Sequence, residues 1–442
     1  MHRTEQADHI ETMSHPFSWR FLVLAAVAGL LLLAAMVTTV SMRGGASSAL
    51  IVSDGKAYYA WARSVWIDGD VDFDNDYRLI YPPDPLPPDL DRLTDSGKVL
   101  NKTPIGLAVL ETPGVWLGSL AAKLTGYPED GVSAPYQLIV CGLLILFYAA
   151  GWMLLYFAWL RLGIPPARAF VVWLGMLGAT NLVHYVAKEP AMTHAASMSA
   201  AALLLYIVSG WQSGEKWAAA KGIPAGVLLG LLVLVRPANL AFLPFLLALL
   251  IARRLISGRL VAGMVAGALL PIALQVGATY ALWGRIGYGF YPDETFSREW
   301  RGVWLGLFSH RHGLFVHHPW YFLLLVLNLV ALAGSSRQRT VALGALVTWV
   351  ALALGNGLWW CWWFGDSFGN RAFIEALVPL STAAALGLSA WQRSRWLQAG
   401  LTALLTLCIV ANLYLWGGYM LGRYAHNGDD PLGQVYGWAI GE

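Results

Sequence analysis

The chain has 442 residues, 57% of them hydrophobic and only 12% charged, with a mean hydropathy of +0.55 and a formal net charge of +3. This composition excludes an ordinary soluble domain, and so small a charge gives no footprint for a nucleic-acid backbone. Cys141 and Cys408 lie in apolar runs and Cys361 in a Trp cluster, so the cysteines form neither a disulfide framework nor a metal-ligand spacing.

Residues 1–19 are polar and of mixed charge and read as a cytoplasmic tail. The apolar run from Phe21 to Val40 exceeds the about 7 to 15 residues of a signal-peptide core, which predicts an uncleaved first span over 20–41. Apolar runs predict further spans over 135–160, 165–183, 190–210, 222–235, 238–252, 260–283, 319–333, 340–358, 373–390 and 397–418. The chain is therefore expected to be an all-α polytopic membrane protein of about 11 transmembrane helices, with a membrane domain over 20–418 and an extracytoplasmic tail over 419–442. The short basic connectors at Arg161 to Arg168, Lys216 to Lys221, Arg253/Arg254/Arg259, Arg337/Arg339 and Arg393/Arg395 mark one side as cytoplasmic. Residues 222–252 would reach about 46 Å as one helix, too long for a single pass. Arg236-Pro237 in their middle predicts two shortened passes broken there, with Arg236 near the outer face. No internal repeat is visible.

The predicted outer loops are 42–134, 284–318 and 359–372. Residues 42–103 hold ten Asp, no Glu and seven Lys or Arg. Within 104–123, Glu111, Pro113 and Gly114 interrupt an apolar stretch that reads as a helix lying along the interface. Asp54 suits either a helix N-cap for 57–67 or a reactive carboxylate at the membrane rim. Lys102, Lys188 and Glu189 fall at the same expected membrane level, and ionisable groups near span ends usually face a polar cavity. The alternating acids Asp68, Asp70, Asp72, Asp74 and Asp76 resemble a calcium loop but lack its terminal Glu, so a solvated acidic loop is the simpler reading. His310, His312, His317 and His318 lack supporting Cys or carboxylate spacing for zinc. His194 suits a buried structural histidine or a site residue. Trp359 to Trp363 suit an aromatic belt, yet the Gly365-Asp366-Ser367-Phe368-Gly369-Asn370-Arg371 run after them adds a cation that could cradle a phosphate.

Taken in order, Ser53-Asp54-Gly55 with Tyr58 and Tyr59, Asn101-Lys102-Thr103-Pro104-Ile105-Gly106, Glu189-Pro190 and Gly365 to Arg371 resemble the GT-C superfamily of polyprenyl-phosphate-sugar-dependent glycosyltransferases. The resemblance is nearest the protein O-mannosyltransferase and lipid A aminoarabinose transferase group. One departure is plain: Gly55 follows Asp54 where the protein mannosyltransferases carry an Asp-Glu pair. The resemblance implies a GT-C-like fold with extracytoplasmic juxtamembrane helices. It also implies inverting transfer of a monosaccharide from a polyprenyl-phosphate carrier to an extracytoplasmic protein, lipid or glycan acceptor; the composition, rich in Ala, Leu, Trp and Arg and poor in Lys, suits a bacterial inner membrane. Such chemistry needs a base for the acceptor hydroxyl, for which Asp54 is the candidate, and cations for the departing phosphate. Those candidates are Lys102, Arg371, Arg236 and Arg298. Tyr58, Tyr59, Glu189, His194, Trp362, Trp363 and Asp366 are candidate sugar or acceptor contacts, and a divalent cation is a candidate cofactor. Rival readings are a lipid-sugar flippase or secondary transporter, a polysaccharide polymerase or ligase, and a membrane scaffold. The transporter reading calls for mid-membrane charges and repeats, which the sequence lacks.

Overall fold

The computed structural model describes residues 50–82, 86–87, 90–214, 218–286, 291–292, 294–390 and 395–423. The predicted first span 20–41, the tail 1–19 and residues 424–442 lie outside the described residues. The helices, in chain order, are α1 Gly55–Arg63, α2 Asp74–Ile80, α3 Gly106–Thr125, α4 Ala134–Arg161, α5 Pro166–Gly178, α6 Leu182–Ala187, α7 Thr193–Ser209 and α8 Ala218–Val235. There follow α9 Leu243–Ala252, α10 Gly258–Trp283, α11 Arg301–Phe308, α12 Leu314–His317, α13 Trp320–Leu332, α14 Ser336–Leu358, α15 Leu377–Ala390 and α16 Arg395–Met420. Short 3-10 turns at Pro237–Phe242 and Arg371–Ala376 lead into α9 and α15. Ten apolar helices occupy the ten positions predicted within the described residues, six long enough to cross a membrane and four shorter, of 10–17 residues.

Local chemistry explains where elements stop. The pass predicted over 165–183 ends at Gly178, because the Thr180 hydroxyl donates back to Met176 O and accepts from Leu182 N, closing one helix and opening the next. The pass predicted from 190 starts at Thr193, since Glu189 and Pro190 belong to the turn before it. The predicted break at Arg236-Pro237 is present: Arg236 is extended (φ −156°, ψ 121°) and α8 ends one residue earlier. The helix predicted over 104–123 is α3, and its Glu111 is buried instead of solvated.

Packing follows membrane rules. Gly222, Gly226 and Gly230 of α8 abut the backbone of α10, while Gly263 and Gly267 abut that of α8, so small residues let the two helices touch. Trp152 of α4 stacks on Trp173 of α5 at 3.6 Å, and each indole N–H donates to the other residue's carbonyl at 3.1 and 2.7 Å. Helix α15 is the most enclosed of the long spans; Thr382 accepts from the Trp159 indole and Leu380 O from Asn328. At one end of the bundle Arg253 donates to Val208 O, Ser209 O and Trp211 O, satisfying carbonyls that the end of α7 leaves open. The connectors at the other end converge on a cavity.

Candidate active site

Helix α1 enters this end of the bundle through a strained residue. Ser53 has φ +53°, a region that costs a non-glycine residue about 1 kcal/mol or more. Its hydroxyl donates to Glu189 Oε1 at 3.2 Å. Asp54 sits at the N-cap position but its side chain makes no capping bond; only its carbonyl accepts, from Ala57 and Tyr58. The carboxylate instead receives a hydrogen bond from Arg371 Nη2 at 2.7 Å and stays 58% exposed. The N-cap alternative for Asp54 is thus not realised. Gly55 is explained by packing, because a Cβ there would lie 3.0 Å from Ala191 O. A glutamate at that position would push α1 off the loop before α7.

Asp54 opens onto a cavity of about 880 Å³. Its polar wall includes Lys102, His194, Arg236, Tyr291, Glu294 and Arg371, and its apolar end includes Ala238, Ala241, Ala351, Leu352 and Gly355. Lys102 is brought there by its neighbours. Asn101 donates to Ala57 O at 2.8 Å and Trp61 donates to Thr103 O at 2.9 Å, clamping 101–103 against α1. Asn101 is buried by the same contacts. Lys102 pairs with Glu294 at 2.8 Å, and Glu294 also accepts from the Trp360 indole at 3.0 Å. Arg236, freed by the helix break, lies 2.8 Å from His194 Nδ1 and 3.4 Å from Glu375, which accepts from the same Nδ1–H at 2.9 Å. Tyr58 and Tyr291 share a 3.0 Å hydrogen bond. Burial and then the nearby Asp54 charge raise the Tyr58 phenol, and burial pushes Tyr291 well above the usual range, so both are neutral at pH 7. Burial alone would raise Glu189, but His184, Arg371 and Lys188 outweigh it and hold the carboxyl down at about 2.

Six of the predicted site residues line this cavity: Asp54, Tyr58, Lys102, His194, Arg236 and Arg371. The other six lie outside its lining. Tyr59 points the opposite way from Tyr58, is buried, and donates to Gly131 O, because adjacent helical residues diverge by about 100°. Glu189 sits behind the wall, where Ser53 and His184 hold it. Trp362 and Trp363 turn away, Trp362 giving its carbonyl to Asn370 and Trp363 stacking under Arg311 at 4.4 Å. Asp366 and Arg298 are exposed outside the cavity. Lys56, Tyr291, Glu294 and Phe364 were given no role from sequence yet all line the site. Glu375, which stands behind that wall, has one signal in the sequence, a lone acid inside an apolar span.

The acidic loop is consumed by protein partners. Asp68 and Asp76 pair with Arg63, Asp74 pairs with Arg78, and Asp70 and Asp72 accept from Ser64 and the backbone. Among the described residues no group of three His, Cys, Asp or Glu converges as a metal site. His312 binds Trp363 O, His317 binds Gly313 O, and His318 donates to Asn412 Oδ1 at 3.0 Å. They brace the loop that carries Arg371. Gly369 in that loop has φ +66°, and a Cβ there would collide with the His318 imidazole. Gly369→Ala is therefore expected to destabilise the protein by about 2–4 kcal/mol and to cut activity through Arg371, checked by thermal unfolding in detergent beside a transfer assay.

Burial lowers the His317 pKa to about 4 and the His318 pKa to about 3, in each case with a nearby histidine adding to the shift. Both are neutral when folded, so the unfolded chain binds more protons below its ordinary value of 6.5. Their stabilisation is complete above pH 6.5 and is lost as pH falls towards 4 and 3, at up to about 1.4 kcal/mol per pH unit for each. The melting temperature is expected to fall between pH 7 and pH 5, and less steeply in His318→Asn.

No family model and no curated protein matches the chain. Among solved structures, it is similar to ArnT from Cupriavidus metallidurans bound to undecaprenyl phosphate, with 15% identity over 96% of this chain and 76% of that one and a TM-score of 0.50. ArnT from the same organism in the apo state has 14% identity over 95% and 75% of the two chains, with a TM-score of 0.51. At such identity the likeness establishes architecture alone: this membrane protein has a fold similar to that of ArnT.

Proposed function

We propose that the protein is a glycosyltransferase that moves a monosaccharide from a polyprenyl phosphate to an extracytoplasmic acceptor, with inversion and with Asp54 as general base. The observation that carries this reading is an accessible carboxylate paired to Arg371 in a cavity that also receives Lys102 and Arg236. Undecaprenyl phosphate on ArnT supports a donor of that class. In the step proposed, Asp54 takes the acceptor hydroxyl proton as its oxygen bonds to the sugar C1. The C1–O bond to phosphate breaks, and the electron pair leaves on the phosphate. Protonation cancels the Asp54 charge, releasing Arg371 towards the phosphate as negative charge develops there. Lys102 and Arg236 supply the remaining positive field. The apolar end at Ala238, Ala241 and Gly355 suits the first isoprene units of the carrier, and the volume suits a sugar phosphate head group. The basic connectors at the opposite end support placing the cavity on the extracytoplasmic face of a bacterial inner membrane. The described residues offer no three-ligand donor set for the candidate divalent cation, so no step is routed through one.

The break at Arg236-Pro237 also suits a lipid-sugar transporter. A panel of radiolabelled polyprenyl-phosphate monosaccharides, offered to the purified full chain with and without chelator, separates the readings. Donor turnover supports the transferase. Tight donor binding without turnover of any donor in the presence of candidate acceptors sinks it in favour of the transporter.

A further inference from the structure

Three of the cations on the cavity wall, Lys102, Arg236 and Arg371, are each met by a carboxylate, while Lys56 donates to Tyr81 O at 2.9 Å, and the three carboxylates differ in how freely they can leave. The Glu375 side chain is 2% exposed, Glu294 is 18% exposed and Asp54 is 58% exposed. Glu375 is enclosed behind the wall, and Asp54 is released from Arg371 by protonation in the reaction proposed above. Glu294 fits neither case. It lines the cavity itself, and its two oxygens engage two other lining groups, Lys102 Nζ at 2.8 Å and the Trp360 indole N–H at 3.0 Å. An ammonium and an N–H donor converging on one oxyanion are what a phosphate oxygen requires, and a carboxylate presents the same charge and lone pairs.

We propose that Glu294 is an intramolecular stand-in for the donor phosphate at Lys102, and that its displacement sets the affinity for the lipid-linked donor. The inference rests on the reading of Lys102 as a phosphate-binding residue. It makes Glu294 an affinity-determining residue whose removal strengthens binding, the opposite sign to the loss of a catalytic acid or of a structural contact.

The test is binding of undecaprenyl phosphate to the detergent-purified full chain, with undecaprenol and inorganic phosphate as separate arms. Wild type, Glu294→Gln, Glu294→Ala and Glu294→Gln/Lys102→Met are compared, each with its thermal midpoint. Glu294→Gln keeps the shape and an acceptor for Trp360 while removing the charge. It is expected to bind undecaprenyl phosphate about three- to tenfold more tightly, the range for relieving one partly buried ion-pair competitor. Glu294→Ala should move in the same direction, and Lys102→Met should cancel the gain. Undecaprenol affinity should not change, which would assign the effect to the head group; a matching gain for undecaprenol would overturn the inference. Competition by inorganic phosphate would show that the head group alone suffices. Binding by wild type with equal or weaker binding by both single variants, at unchanged midpoints, overturns the inference and leaves the donor class standing. Binding that appears only in the Glu294 variants supports it. Failure of every variant to distinguish undecaprenyl phosphate from undecaprenol overturns both.

Discussion

Asp54→Asn is expected to lower sugar transfer by about 10²- to 10⁴-fold while leaving the protein folded and able to bind donor. The amide keeps the size of the carboxylate and can still accept from Arg371, so the geometry at the start of α1 is preserved. It cannot take the acceptor proton. The stability cost is expected at about 1–2 kcal/mol: Asp54 is 58% exposed and makes no N-cap bond, but Arg371 is only 11% exposed and exchanges a charged acceptor for a neutral one. Donor affinity should hold or rise slightly, since Arg371 no longer faces a charged partner. Transfer measured at saturating donor and acceptor, beside a thermal midpoint, decides the matter. Retention of more than about a tenth of the wild-type rate would place the base elsewhere.

A large stability effect is expected at Glu375. This carboxylate is buried in the 3-10 turn that opens the α15 span, with His194 at 2.9 Å and Arg236 at 3.4 Å. Glu375→Ala leaves the Arg236 charge with its side chain 17% exposed and no acid beside it. Breaking such a pair costs about 3–5 kcal/mol when both partners are enclosed, and the partial access of Arg236 to the cavity points to about 3 kcal/mol. Glu375→Gln, which retains an acceptor for His194, should cost less. A double variant, Glu375→Leu with Arg236→Met, should recover much of the loss, because the penalty lies in the orphaned charge and not in a missing attraction. Thermal unfolding in detergent measures the set. A wild-type midpoint for Glu375→Gln, with only Glu375→Ala lowered, would show that Glu375 acts by packing alone.

The membrane passes were legible because their signal is local: about twenty apolar residues between basic connectors predict a span wherever the chain goes next. The break at Arg236 was legible for the same reason, since proline removes a donor and restricts its predecessor in any context. Asp54, Lys102 and Arg371 could be named from short motifs at the ends of such segments. What those motifs could not supply was company. Asp54 and Arg371 are separated by 317 residues and Tyr58 and Tyr291 by 233, so no spacing in the chain announces that they touch. Side-chain direction was equally hidden. Tyr58 and Tyr59 are equivalent as letters, and only the packing of α1 sends one to the cavity and the other to Gly131 O. The four Trp residues between 359 and 363 divide the same way, with Trp359 and Trp360 lining the site while Trp362 and Trp363 turn from it.

The sequence by itself therefore determined the class of protein and the positions of its apolar passes within the described residues, because composition, periodicity and proline act through neighbours along the chain. Only the tertiary structure decided which cations meet which acids, that Glu375 anchors Arg236 and that Glu294 stands at Lys102, because those pairings depend on where distant helix ends arrive in space.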